Sequence, residues 1–219
     1  DLRRCRNRLE KMLLRQGKVC NETKHAWSKA YREWLKTVTF DHPPAQIVFE
    51  QYRLAVDQHE ERIKSLVAAL EEAATTEPYR DPIARLRCFR GIDLITAITL
   101  VAELHGFQRF TSPRQLMSYL GLVPSEYSSG ESQRRGSITK MGNSHARRIL
   151  VEAAWNYQQG PRLGAALRKR REGQSPLIIA IADKAQQRLC GRFRRLAAAR
   201  KPTCKVVVAV ARELTGFVW

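Results

Sequence analysis

The sequence predicts a mostly α-helical protein in which long helices of the coiled-coil type precede a compact helical domain. Apolar residues recur at spacings of three and four through most of the 219 residues, and no convincing alternation of the kind typical of strands is present. A hydrophobic content of 43% with 27% charged residues is ordinary for a soluble globular protein, so a proper core is expected. This length fits one large domain or two small ones.

The first two predicted helices are short and carry several cations. A basic helix is expected over residues 1–16, where leucines alternate with arginines and lysines. A second helix, capped by Asn21 or Thr23, is expected to carry Trp27 and Trp34. Two prolines at positions 43 and 44 then end one element and begin the next, because proline suits the first turn of a helix.

The clearest helix is predicted from Ala45 to about Ala74. Its apolar residues form a seam of about three heptads, which is typical of a coiled coil. We therefore expect it to pair with another helix, within the chain or between subunits of a homo-oligomer (a dimer or a tetramer). His59 in this seam is expected to be a packed histidine. The seam positions are Val48, Tyr52, Ala55, His59, Ile63, Leu66 and Leu70.

A break at residues 75–78 separates this first domain, residues 1–78, from a second domain over residues 79–219. The stretch KVVVAVA favours a strand by propensity, but the ARELTGF after it has a helical pattern, so we predict a helix. Trp155 is expected in the core, and residues 161–219 form a basic helical tail. The predicted helices span residues 82–89, 94–104, 113–119, 144–157, 161–171, 177–195 and 203–217.

The charge of the chain indicates a polyanionic partner. Lys and Arg number 39 against 21 Asp and Glu, which leaves a net charge of +18, and nucleic acid is the commonest partner of such a protein. Residues 162–205 alone hold 13 basic and 2 acidic residues. Too few carboxylates are present to pair these cations, so a phosphate-binding surface is expected. It includes Arg168, Lys169, Arg170 and Arg171.

Several classes of protein are disfavoured. Five scattered cysteines without a CxxC pair, and five dispersed histidines, predict neither a zinc site nor a disulfide framework, and they fit a reducing cytoplasm. No apolar run is long enough to span a membrane. We therefore expect no metal, no cofactor and no membrane contact in this chain. Its first residues, which lack Met and begin within a charged helical pattern, lead us to expect a fragment.

Residues 86–104 have the form of a helix–hairpin–helix element, with a tight turn at Arg90 and Gly91 between two apolar helices. Such a turn offers backbone N–H groups to a phosphate, and Gly91 lets the backbone come close. Asp93 stands where a second glycine is usual. A carboxylate there caps the following helix but repels phosphate, so a phosphate contact and a purely structural hairpin both stay open.

Residues 121–143, GLVPSEYSSGESQRRGSITKMGN, form a polar, cationic loop among predicted helices. We expect this loop to leave the core and meet a nucleic-acid backbone, with Asn143 contacting phosphate. Asn143 or Ser144 could instead serve only as the cap of the next helix. The cations expected to contact phosphate here and in that helix are Arg134, Arg135, Lys140, Arg147 and Arg148.

Residues 86–157 carry a family resemblance. The turn at Gly91 and the segments RFTSPRQLMSYLGLVPSEYSSGE, RRGSITKMGN and RRILVEAAW resemble the C-terminal transposase domain of the IS110/IS1111 insertion-sequence transposases. The resemblance implies an enzyme in which an N-terminal RuvC-like domain holds Mg²⁺ on Asp and Glu residues. A coiled coil joins that domain to a C-terminal domain that supplies a serine. It also implies DNA strand exchange through a serine–phosphodiester intermediate, with sites chosen by pairing to a bridge RNA.

By its position in the YSSG segment, Ser129 matches the family's nucleophile, and Ser128 and Ser132 are the nearest alternatives. No part of this chain resembles the RuvC-like domain, so we expect it to bind nucleic acid but not to cut DNA alone. Two other readings stay open. One is a non-catalytic helical module of a decayed element that binds nucleic acid and dimerises. The other is a coiled-coil assembly protein whose basic charge is incidental.

Overall fold

A computed structural model describes residues 1–129, 132 and 134–219 of the chain, with Arg135 described by its backbone alone. The chain divides into two compact units, Asp1–Ala69 and Leu70–Trp219. The described part holds ten α-helices and one two-stranded sheet, which confirms the mostly α-helical prediction.

The first unit contains α1 (Leu2–Arg15), α2 (Lys29–Thr37) and most of α3 (Pro43–Ala73). The predicted cap of α2 was wrong. Ser28 is the cap, and its hydroxyl accepts a hydrogen bond from the backbone N–H of Tyr31. Trp27 has a φ of 65°, which interrupts a helix directly before this cap. The six buried residues of the core are Leu9, Leu13, Tyr31, Leu35, Val38 and Phe49.

One carboxylate ties the three helices of the first unit together. Glu60 on α3 accepts hydrogen bonds from Arg32 on α2, at 2.8 Å, and from Arg6 on α1, at 2.7 Å. These bonds, above all those from Arg32, lower the pKa of Glu60 to about 2. Glu60 is therefore ionised whenever the unit is folded near neutral pH, and the ion pairs fix the register of α3 against its neighbours.

The second unit begins with the last turn of α3 and continues with seven further α-helices among the described residues. These are α4 (Arg80–Leu86), α5 (Leu94–Leu104), α6 (Pro113–Tyr119), α7 (Ser144–Ala154), α8 (Ala165–Arg171), α9 (Pro176–Ala198) and α10 (Thr203–Val218). Two 3₁₀ helices, Phe107–Arg109 and Trp155–Gln158, join them. The strands β1 (Pro124–Glu126) and β2 (Arg135–Ile138) lie between α6 and α7.

The core of the second unit is built around α10, which packs against α6, α7 and α9. The stretch KVVVAVA is helical, as predicted, because its buried residues recur at helical spacing. They are Val206, Val207, Val210, Ala211 and Leu214. This packing leaves the connection between α6 and α7 at the surface.

Three predictions for this unit were wrong in detail. The segment 121–143 contains two strands, so it is a hairpin and not an irregular loop. The helix after it ends at Ala154, and the 3₁₀ turn that follows leaves Trp155 42% exposed instead of in the core. The helix predicted over residues 161–171 begins only at Ala165.

Candidate nucleic-acid interface

The polar segment 121–143 is an antiparallel β-hairpin. Pro124 pairs with Ile138 and Glu126 pairs with Arg135, with an irregularity in register between the two pairs. Nearer the tip, Ser129 and Ser132 exchange backbone hydrogen bonds of 3.1 and 3.0 Å. The ladder therefore continues to the predicted nucleophile and carries it to the far end of the hairpin. Residues 130, 131 and 133 of the predicted serine loop lie outside the described residues.

Two glycines allow the base of the hairpin to close. Gly121 has a φ of 62° and Gly142 a φ of 72°, a region that side chains rarely adopt. A Cβ on Gly121 would overlap the backbone of Met141, and a Cβ on Gly142 would overlap the carbonyl of Tyr119. The two segments that flank the hairpin thus cross in backbone contact, which fixes the hairpin to the ends of α6 and α7.

Side chains beside this crossing hold the start of α7. Asn143 caps α7 by accepting a hydrogen bond from the N–H of Ala146 at 2.9 Å, and its amide donates to Glu103 at 2.7 Å. His145 Nδ1 lies 2.6 Å from the other oxygen of Glu103. The hydrogen bonds from Asn143 and His145 lower the pKa of Glu103. Asn143 therefore has the capping role that the sequence left open as an alternative to phosphate binding.

Arg147 also forms hydrogen bonds within the protein. Its Nη1 donates to the carbonyl of Leu120 at 2.9 Å and to that of Met141 at 3.1 Å, one on each side of the hairpin base. Arg148, one residue further, is exposed and lies 3.9 Å from the carboxylate of Glu152. Of these two predicted phosphate contacts, only Arg148 directs its charge to solvent.

The candidate serines differ in their surroundings. The hydroxyl of Ser128 donates to Glu126 at 2.8 Å. Ser129 and Ser132 are both exposed, and neither hydroxyl bonds to any residue that the structure describes. Arg134, two residues after Ser132, is exposed, and Lys140 at the base of the hairpin is exposed as well. The hairpin thus presents hydroxyls and cations to solvent, while the residues at its base hold it in place.

A groove of about 990 Å³ runs beside β2, bounded by α6 and α10. Its floor is apolar and includes Met117, Leu122 and Val208. Glu213 at its edge pairs with Arg188 and Arg192, at 2.9 and 3.2 Å. The other four cations of the groove form no salt bridge with any residue in the described ranges. The cations that line it are Arg114, Lys140, Arg192, Lys205 and Arg212.

The sequence interpretation did not single out Arg114, Arg192 or Arg212. A usable signal was present, because positions 205, 208, 209 and 212 follow the spacing that places residues on one face of a helix. In the helix predicted over residues 203–217, Lys205 and Arg212 are two turns apart on the same side, which indicates a basic edge.

The basic run at residues 168–171 divides into two pairs. Arg168 and Lys169 are exposed, whereas Arg170 donates to the carbonyl of Ile92 at 2.6 Å, and its burial lowers its pKa. Arg171 is only 6% exposed. It donates to the carbonyl of Cys88 at 3.0 Å and pairs with Asp183 at 2.6 Å. The buried site of Arg171 does not fit the predicted phosphate contact, because its guanidinium is used inside the domain.

Gly91, which was predicted to contact phosphate, also has a role in packing. Gly91 has a φ of 84°, and a Cβ there would overlap the carbonyl of Ala153 at the end of α7. Asp93 caps α5 by accepting a hydrogen bond from the N–H of Thr96 at 2.8 Å. The glycine is therefore needed for the turn to pack on α7. The helix–hairpin–helix element itself stays a prediction.

The predicted site residues fall into two places on the second unit. Ser129, Arg134 and Lys140 share the hairpin, whereas α8 contacts the Gly91 turn through Cys88 and Ile92. No hydrogen bond or salt bridge between described residues joins α8 to the hairpin. Among all the residues that the structure describes, no helix is long and apolar enough to span a membrane. The same residues contain no cluster of three His, Cys, Asp or Glu side chains that could bind a metal.

Comparison with known proteins supports a common origin with transposases. The chain is 42% identical over 218 residues to y4qE of Sinorhizobium fredii, which bears the name of a transposase, and 32% identical over 206 residues to the transposase for insertion sequence element IS1533 of Leptospira borgpetersenii. These alignments cover 100% and 94% of the chain, but 52% and 60% of the two relatives. The chain thus spans about half the length of the curated relatives it matches.

A more distant relative matches a smaller part. The transposase for insertion sequence element IS1111A of Coxiella burnetii is 29% identical over 100 residues, which is 46% of the chain and 25% of that protein. Residues 83–166, which include the Gly91 turn and the whole hairpin, match the family model described as Transposase IS116/IS110/IS902 family. The part of the chain that carries the hairpin therefore belongs to the IS116/IS110/IS902 family of insertion-sequence transposases.

Proposed function

We propose that the chain is the serine-bearing part of a DNA recombinase that moves an insertion sequence, and that it binds DNA and a guide RNA. One observation carries this proposal: a glycine-anchored hairpin holds an exposed Ser129 at its tip, beside a groove lined by cations. A solvated turn would need neither the backbone crossing at its base nor a basic groove at its side.

The chemistry proposed for Ser129 is nucleophilic attack on a phosphodiester. The serine oxygen forms a bond to phosphorus, and the bond from phosphorus to one bridging oxygen breaks. The serine proton is lost, and the departing oxygen gains a proton as it becomes a free hydroxyl. The covalent ester keeps the energy of the broken bond, so a new DNA hydroxyl can reverse the step without an external energy source.

The cations of the hairpin have a role that follows from this reaction. The phosphorus centre gathers negative charge as it becomes five-coordinate, and fixed positive charge nearby lowers the energy of that state. Arg134 and Lys140 are exposed on the hairpin. The groove beside it offers further cations that would hold the flanking phosphates and keep the reacting phosphate in line with the serine.

Mg²⁺ enters the proposal only through a further domain of the full-length protein. A divalent cation needs several oxygen ligands at one place, and no such acidic cluster exists among the residues described here. The described residues do not fit the metal, so no step is assigned to a metal ion bound to them. The RuvC-like domain of the resemblance is where we propose that Mg²⁺ binds.

We further propose that α3 mediates homo-oligomerisation. Several seam positions that the sequence assigned to helix pairing are exposed: Val48 is 43%, Ile63 is 46% and Leu66 is 55% exposed. A second copy of α3 would cover them. Bacterial cytoplasm, where the DNA is found, is the proposed site of action.

The test is covalent trapping with the full-length protein. The protein is mixed with Mg²⁺, candidate RNA and end-labelled element DNA, and denatured samples are examined for a protein–DNA band. We expect Ser129→Ala to abolish the band, while Ser128→Ala and Ser132→Ala retain it. A band that survives Ser129→Ala but not Ser128→Ala would move the nucleophile by one residue. No band in any sample, with RNA binding intact, would favour the non-catalytic binding module.

A further inference from the structure

A second pocket lies at the C-terminal end of α7, where the Gly91 turn meets the 3₁₀ helix Trp155–Gln158 and α8. It has a volume of about 420 Å³, and we call it the Trp155 pocket; the lining residues that matter here are Arg90, Gly91, Trp155, Asn156, Arg162 and Arg170. We propose that the Trp155 pocket binds a single unpaired nucleotide of a DNA or RNA strand. The inference rests on the proposed function, since it assumes a nucleic-acid partner.

Trp155 supplies the surface on which a base can stack. The chain leaves the α-helix at Ala154 and enters a 3₁₀ turn, which buries Tyr157 completely and leaves Trp155 42% exposed. Exposure of a large indole to water is unfavourable, because burial of its apolar surface against a ligand would lower the free energy. Exposed aromatic rings are the usual platforms for unstacked bases, because every base has a face that can stack.

Three arginines supply the charge for a phosphate. Arg90, Arg162 and Arg170 all line the pocket, and none of them forms a salt bridge with a residue that the structure describes. Asp93 is the carboxylate close enough to Arg170 to raise its pKa, but burial and the neighbouring Arg87 and Arg171 outweigh it. The pocket is nevertheless positively charged at neutral pH, because three arginines and no carboxylate line it and arginine side chains stay protonated in proteins.

These arginines are also held in position. Arg90 Nη1 donates to the carbonyl of Gly160 at 2.8 Å, and Arg162 Nη2 donates to the Gln159 side chain at 2.6 Å. Arg170 uses Nη1 on the carbonyl of Ile92, while its buried Nε finds no acceptor in the described part of the chain. A guanidinium has five N–H donors, so each arginine keeps donors for a ligand. A phosphate oxygen could satisfy a buried donor that is costly to leave unpaired.

The size and the remaining lining favour one nucleotide over a duplex. A volume of about 420 Å³ lies within the range of roughly 300–1,000 Å³ usual for small-molecule sites. Asn156, Gln158 and Gln159 bring amide groups to the same pocket, and amides can donate to and accept from a base edge. An aromatic face, guanidinium groups without a carboxylate partner in the described residues, and amides together match a base with its phosphate better than they match a phosphate alone.

The test uses the 219-residue chain and fluorescence anisotropy at a fixed, stated salt concentration. The probes are a labelled eight-nucleotide DNA strand, the same strand as RNA, an abasic strand of equal length, and a blunt duplex. We expect Trp155→Ala to weaken binding of the base-bearing strands by about 5- to 150-fold, as for other stacked bases. It should leave binding of the abasic strand unchanged, because the number of phosphates is the same.

Three further variants separate stacking from other effects. Trp155→Phe keeps an aromatic face and should restore most of the affinity. Tyr79→Ala removes another half-exposed aromatic residue outside the pocket, and it should change nothing. Arg162→Gln should lower the log–log salt dependence for the single strands by about 0.7, the value for one phosphate contact. Thermal unfolding followed by circular dichroism confirms that each variant is folded.

The outcomes distinguish this inference from the proposed function. If Trp155→Ala leaves binding of every probe unchanged, or weakens the abasic strand as much as the others, the Trp155 pocket does not bind a base, although nucleic-acid binding stands. If the unaltered chain binds none of the probes, both proposals are wrong. A loss confined to the RNA strand, or to the DNA strand, identifies which nucleic acid supplies the nucleotide.

Discussion

Replacement of Gly142 by alanine tests whether the hairpin base depends on backbone contact. Gly142 has a φ of 72°, and Gly173, after α8, has a φ of 73°. A Cβ at Gly142 would overlap the carbonyl of Tyr119, whereas a Cβ at Gly173 has no atom within 4 Å. The two sites therefore have nearly the same φ and differ in the space around the added methyl group.

The expected costs follow from that difference. An alanine in the left-handed region costs about 1–2 kcal/mol at either site. At Gly142 the Tyr119 backbone must also move, which adds about 1–3 kcal/mol, the usual cost of overpacking. Gly142→Ala should thus lower the free energy of unfolding of the second unit by about 2–5 kcal/mol, and Gly173→Ala by only about 1–2 kcal/mol.

Urea unfolding followed by tryptophan fluorescence provides the assay. Trp27 and Trp34 lie in the first unit, so both are replaced by phenylalanine, and the signal then comes from Trp155 and Trp219 in the second unit. Equal losses of stability for Gly142→Ala and Gly173→Ala would refute the backbone crossing. A hairpin that does not depend on this crossing would also keep its trapping activity in the Gly142→Ala protein.

Three further predictions concern charges. Because the pKa of Glu60 is lowered to about 2 in the folded chain, its stabilising contribution is complete above about pH 4.5 and is lost as the pH falls toward 2. The difference in melting temperature between the unaltered chain and Glu60→Gln should therefore be largest near pH 6 and vanish near pH 2; a difference independent of pH would contradict the ion pair. Arg171→Met should cost about 1–3 kcal/mol in urea unfolding, because the Cys88 carbonyl loses its donor, while the exposed Arg168→Met should stay within about 0.5 kcal/mol. Equal effects would mean that Arg171 is not buried as described. Lys205→Gln and Arg212→Gln should each reduce the log–log salt slope of duplex DNA binding by about 0.9, measured by anisotropy, whereas an unchanged slope would remove the groove from the interface.

Local signals in the sequence were enough to predict several helices. Asp93 begins α5 and caps it, and α5 and α6 span the residues predicted for them. The helical pattern after KVVVAVA also outweighed the β-propensity of its valines, because α10 is buried on one face by three other helices. Where a capping residue and an apolar stripe agree, the sequence is sufficient.

The β-hairpin could not be predicted in the same way. Its strands have three and four residues, too few for an alternating pattern to stand out, and most of their side chains are polar. What makes the hairpin form is the crossing at Gly121 and Gly142, which depends on residues about twenty positions apart. That contact is tertiary, and a single sequence shows only two glycines.

The roles of individual side chains were harder to predict than the hairpin, because an arginine can either bind a ligand at the surface or form hydrogen bonds inside the domain. Within residues 168–171, four cations look alike in the sequence, yet Arg171 lies inside the domain. Leu167 is buried four residues before it, on the same helical face, so the periodicity could have separated Arg171 from Arg168. Trp155 shows the opposite error, since a change from α-helix to 3₁₀ helix rotates it away from the face that its spacing predicted.

The chemistry proposed for the hairpin depends on different roles for its polar residues. Gly142, Asn143 and Arg147 direct their contacts inward, to Tyr119, Glu103 and the carbonyls at the hairpin base. Ser129, Arg134 and Lys140 face solvent. A nucleophile at the tip of a two-stranded ribbon would be too mobile to meet a phosphate in line, because an isolated hairpin is only marginally stable. The inward residues remove that mobility at the base, so we regard the backbone crossing and the cap of α7 as parts of the same proposed site as the serine.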